Sequence, residues 1–103
     1  MANDQAKIRK AVEEALLAAF LELKKIYNEE GRKEDASLLM AITRAHSHIN
    51  QFSLAKLKRI LVAIERRFNF YGIKINKEVR EKLEDAIGQV GAYEIFEMAK
   101  KAT

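Results

Sequence analysis

The 103-residue chain contains no cysteine, no proline and no tryptophan, and only four glycines and two histidines. Without cysteine there is no disulfide, no thiolate-held zinc or iron–sulfur cluster and no thiol nucleophile, and the composition suits a reducing compartment, with the cytoplasm as the default expectation. Without proline, and with glycine sparse, little interrupts long helices. No stretch approaches the roughly 18 uninterrupted apolar residues of a membrane span. Nor does Met1-Ala-Asn-Asp-Gln5 lead from a basic start into an apolar run. Neither a transmembrane nor a targeting segment is expected.

The same scarcity narrows the chemistry. His46 and His48 point about 200° apart on a helix, whereas joint metal ligation from one helix needs a spacing of three or four residues. His46 borders a core stripe and is expected to be partly buried and bonded to a backbone acceptor. The carboxylates come largely as adjacent pairs, Glu13-Glu14, Glu29-Glu30, Glu34-Asp35 and Glu84-Asp85, which diverge on a helix, and no Glu-x-x-His occurs. Ser37, Ser47 and Ser53 lack the glycine-flanked turn that exposes a nucleophile, and there is no glycine-rich phosphate loop. No catalytic residue, metal site, cofactor or enzymatic activity is expected.

What the chain does have is helical periodicity in Ala, Leu, Glu, Lys and Arg. The spacing predicts a single domain over 1–103, an all-α, compact four- to five-helix bundle with helices over about 4–27, 33–50, 54–71, 77–90 and 92–101. In the first helix Ile8, Val12, Ala15, Leu16, Ala19, Phe20, Leu23, Ile26 and Tyr27 share a stripe. Leu17 and Leu21 lie off it, which points to a second contact or to a homo-oligomer through this helix. Gly31 is placed to end it. The second helix carries Leu38, Ile42, Ala45 and Ile49 toward the core. The third begins at Ser53 as N-cap, with Phe52 positioned to pack on Leu57, and stops at Gly72.

Ile73-Lys-Ile75 reads as a short extended connector whose isoleucines plug the end of the bundle. Asn76 then caps a helix with Val79, Leu83, Ala86, Ile87 and Val90 on its stripe. Continued unbroken, that helix would project Glu94 from its buried face, so a kink or restart is expected between Gly88 and Gly91. The small residues there equally suit a close helix contact. A fifth helix would carry Ile95, Phe96 and Met98. Leu17, Leu21, Met40 and Phe96, if exposed together, would form a partner surface.

Charge is unevenly distributed. Between Lys56 and Lys82 there are nine Lys/Arg against three Glu, whereas the rest of the chain carries ten against twelve acids. The third helix gathers Leu54, Leu57, Ile60, Leu61, Ile64, Phe68 and Tyr71 on its core face. Its opposite face holds Lys56, Arg59, Arg66 and Arg67 with only Ala55, Val62 and Ala63 between them, and Lys58 and Glu65 on the flanks. A cationic strip over slim residues admits a phosphate backbone or an acidic partner closely. Lys74, Lys77 and Arg80 would extend the track, and Phe70 is the one ring of Phe68-Asn-Phe70-Tyr71 free to stack on a base. The expected partners are therefore nucleic acid, RNA or DNA, or an acidic protein surface. The expected function is a small binding protein, a subunit of a larger assembly, or else an inhibitor, immunity or adaptor module.

Two partial resemblances accompany this reading. The order of amphipathic helix, Gly72-Ile-Lys-Ile-Asn76 connector and capped C-terminal helix resembles small helical immunity proteins of bacteriocin producers. Leu61-Val-Ala-Ile-Glu-Arg-Arg-Phe-Asn-Phe-Tyr-Gly72 is similar to a stretch in the RNA-lining helical subunits of multi-subunit CRISPR effectors. Both rest on apolar spacing over a minor part of the chain, and neither assigns a role to a residue.

Overall fold

The computed structural model describes residues 2–102. Four helices, α1 (Ala2–Glu30), α2 (Lys33–Ser47), α3 (Leu54–Tyr71) and α4 (Lys77–Ala102), are joined by short connections, the last containing a 3₁₀ turn over Gly72–Lys74. Cross-links fix the antiparallel order. Gln5 near the start of α1 bonds Tyr93 near the end of α4, and Asp35 at the start of α2 pairs with Arg67 near the end of α3. Each helix packs on its chain neighbours, and α1 packs on α4, closing an up-down-up-down bundle.

The core is formed by the stripes that the periodicity marks. Val12, Leu16, Ala19 and Leu23 of α1, Ile42 and Ala45 of α2, Leu57, Leu61, Ile64 and Phe68 of α3, and Leu83, Ala86 and Val90 of α4 are all shut off from solvent. Burying each of the larger ones contributes about 1.5–3 kcal/mol. Among the described residues no helix is long and apolar enough to cross a membrane.

The helix boundaries have local causes. Gly31, at φ 62°, ends α1 while its N–H returns to the Tyr27 carbonyl. The Ser53 side chain accepts the Lys56 N–H at 3.1 Å as N-cap of α3. At the start of α4, Asn76 accepts from the Glu78 N–H at 2.8 Å, and its own N–H donates to the buried Glu22 of α1 at 2.5 Å. A carboxylate there also complements the helix dipole.

Several expectations need correction. α2 stops at Ser47, and residues 48–52 form a turn in which the His48 carbonyl accepts from the Gln51 and Phe52 N–H groups; Ile49 still reaches the core. Leu39, not Leu38, is the buried leucine of α2, with Leu38 packed on the core edge. The connector is a 3₁₀ turn in which Ile75 is buried and Ile73 wholly exposed, so a single isoleucine closes that end.

The largest difference is α4, which runs unbroken through Gly88 and Gly91. The bundle core ends at Val90, and Glu94 bonds Lys58 Nζ at 2.9 Å at its edge instead of entering it. The premise for a restart therefore fails. Nor are the glycines a close helix contact. A Cβ on Gly88 would meet no packed neighbour, and one on Gly91 would meet only Lys58 Nζ, 3.9 Å away. Ile95, Phe96 and Met98 beyond it are exposed.

Candidate nucleic-acid interface on α3

On α3 the core residues are spaced so that the diametrically opposite direction is taken by Arg59, Ala63, Arg66 and Phe70, with Ala55 and Val62 beside them. Ala55, Lys58, Arg59, Val62, Ala63 and Arg66 line an open groove of about 570 Å³ between α3 and the later part of α4, which contributes Glu94. Its floor is low because alanines and a valine occupy it. Its charge is positive because Glu94, its one acid, is held by Lys58. Arg59 and Arg66 are exposed, with no ion pair or hydrogen bond of their side chains among the described residues.

The remaining sequence-derived contacts divide. Lys56 is exposed at the start of the strip, its ammonium 4.3 Å above the Phe52 ring. Arg67 turns away from it. Successive helical residues differ by 100°, so the neighbour of an outward Arg66 must face a flank, here toward α2. There Arg67 Nε donates to Asp35 Oδ1 at 2.5 Å and its side chain retains only 17% exposure. Arg80 donates to the Phe68 and Gly72 carbonyls at 3.1 and 3.0 Å and to Asn69 Oδ1 at 2.9 Å, which caps the end of α3. Lys74 pairs with Glu30 at 3.0 Å, an attraction that holds the Glu30 carboxyl below its usual pKa. Lys77 lies loosely beside Glu81 at 4.0 Å, both exposed.

Phe70 is 58% exposed, but its ring is occupied. The Arg67 guanidinium lies 4.5 Å and that of Arg32 5.4 Å from its centroid, and Tyr71 meets it edge-on. A base would have to displace cations already held by the aromatic face.

Behind this ring sits a polar knot that sequence reading did not identify. Asp35 is fully buried, accepting from Arg67 on one oxygen and from the Tyr71 hydroxyl on the other. Burial, with the bond to Asp35 second, pushes the Tyr71 hydroxyl above its ordinary pKa, and the bond to Asp35 likewise raises Arg67. The signal for Asp35 was present, since it stands four and seven residues before the core positions Leu39 and Ile42.

The histidines exchange roles. His48 Nδ1 lies 3.1 Å from the Arg44 carbonyl and its ring stacks on Phe52, while the half-buried His46 lines a small apolar recess with Leu16, Leu17, Phe20 and Ile42. Among the described residues no three carboxylates or histidines converge as metal ligands. Leu17, Leu21 and Met40 are exposed along α1 and α2, but Phe96 stands apart, in a groove with Asp4, Ile8 and Tyr93. Comparison with protein-family models, with curated proteins and with solved structures gave no match.

Proposed function

We propose that the chain is a small non-enzymatic binding protein of the cytoplasm whose α3 groove takes a nucleic-acid backbone, as a subunit of a larger assembly. One observation carries the reading: Arg59 and Arg66, whose side chains have no partner among the described residues, stand on a low floor of Ala55, Val62 and Ala63, and Glu94, the acid that lines the groove, is held by Lys58. Two turns apart, about 10.5 Å along the helix axis, they suit successive contacts along a phosphate chain better than a single small anion. Arg67, Arg80 and Lys74 belong to the scaffold, so the contact set on α3 reduces to Lys56, Arg59 and Arg66.

Phosphate contacts release counterions, each contributing ~0.7–0.9 to the log–log salt slope. Three contacts give an expected slope of about −2 to −3 in fluorescence anisotropy with labelled single- and double-stranded oligonucleotides. Arg59→Ala with Arg66→Ala should lower it by roughly two and weaken all sequences alike. With its ring covered, Phe70→Ala should affect single strands and duplexes similarly. Absence of binding at low salt and tens of micromolar protein would sink the proposal and leave an acidic protein as the ligand of this face.

A further inference from the structure

The outward face of α1, diagonal to α3 in the bundle, carries a second pattern. Lys10, Glu14, Leu17, Leu21, Lys24 and Asn28 follow one another at alternating steps of four and three, the spacing of a coiled-coil seam, and all six are exposed. They lie opposite the buried stripe through Val12, Ala15, Ala19 and Leu23, so none is needed to hold the bundle together. At the centre of the seam stand two leucines, 50% and 56% exposed. Met40, 68% exposed, lines a groove with Phe20 and Lys24, and the apolar recess lined by Leu17, Phe20 and Ile42 opens between α1 and α2.

We infer that this face is a self-association surface, on which α1 of a second copy packs antiparallel about a two-fold axis midway between Leu17 and Leu21. The sequence of the seam selects occupant and register together. About that axis each Leu17 meets Leu21 of the other copy, each Glu14 meets Lys24, and each Lys10 meets Asn28. A parallel pairing would set Glu14 on Glu14 and Lys24 on Lys24. Sliding the antiparallel pair by one heptad would put Leu17 against Glu14 or Leu21 against Lys24. Only the central register satisfies every layer, and a self-complementary patch is what a two-fold dimer requires.

Among the described residues Glu14 has no hydrogen bond or ion pair of its side chain and Lys24 has only the Tyr27 ring, 5.5 Å away, so both charges are available. The seam extends from Lys10 to Asn28, 19 residues and about 27 Å, with one leucine pair repeated twice at its centre. That is a small interface, and it places the dimer at the weak end of specific association. The inference does not depend on nucleic-acid binding. Because the two helices are diagonal, dimerisation through α1 leaves both α3 grooves open.

The test is a charge swap read by sedimentation equilibrium over about 10 µM to 1 mM protein, the window of a weak complex. Glu14→Lys or Lys24→Glu alone should weaken self-association by about tenfold or more, since each converts two attractive layers to repulsive ones. The double swap should restore it, and the differences should shrink in high salt. Leu17→Glu should abolish it while the circular dichroism spectrum stays helical. A wild-type chain that remains monomeric throughout would overturn the proposal and leave the face to a different protein. A double swap as defective as the single swaps would overturn the register.

Discussion

Arg66 and Arg67 are chemically identical neighbours with opposite fates. Arg66 points to solvent without a partner among the described residues, and Arg67 neutralises a carboxylate that solvent cannot reach. Arg66→Ala should therefore change stability by no more than about 0.5 kcal/mol. Arg67→Ala leaves Asp35 buried with only the Tyr71 hydroxyl and should cost roughly 3 kcal/mol or more by urea denaturation. Equal effects would show that the knot is not the tie between α2 and α3. The same knot sets an alkaline limit. Tyr71 has a folded-state pKa above the ordinary value of 10.0, so the neutral phenol is the form that the fold favours. That contribution is complete below pH 10 and is lost as pH rises through the raised value. Denaturation midpoints should thus fall above pH 10, and the fall should be shallower in Tyr71→Phe.

At the scale of the element, α3 was the most legible helix. Its N-cap, its core stripe and its terminal glycine all agree, and it spans Leu54–Tyr71 as the spacing predicts. The α4 boundary was illegible because periodicity records which residues share a direction and not how far the neighbouring helices extend. The stripe through Leu83 and Val90 does lead toward Glu94, but at that level the antiparallel α3 is about one turn from its first residue, Leu54, and offers the Lys58 ammonium instead of a core. The same limit misplaced Arg67 and Arg80. Their partners lie 32 residues away in α2 and at the carbonyl end of α3, relations that no local pattern encodes. A continuous α4 makes a sharp prediction. Gly88 and Gly91 have ordinary helical backbones with room for a methyl group, so Gly88→Ala and Gly91→Ala should each stabilise by about 0.5–1 kcal/mol. Thermal melts in which both substitutions destabilise would restore the kink.

The whole molecule measures 51 × 25 × 19 Å, longer than α2 or α3 alone can span. α1 and α4 supply the extra length, and cross-links at Gln5–Tyr93 and Lys58–Glu94 mark where the four-helix section ends. Beyond them the overhang of α4 contributes no residue to the buried core, since Ile95, Phe96 and Met98 are exposed and the last fully buried position is Val90. Stability should therefore be graded along the molecule. Amides of Leu57–Phe68 and Leu83–Val90 should exchange with solvent only on global unfolding, and those after Phe96 by local fraying. Ending the chain at Glu94 should keep both cross-links and the whole core, and should leave a single cooperative transition with its Tm within about 5 °C of the full chain. A truncated chain that loses cooperativity would mean that the exposed end of α4 is covered in solution, through contacts that the isolated bundle does not supply.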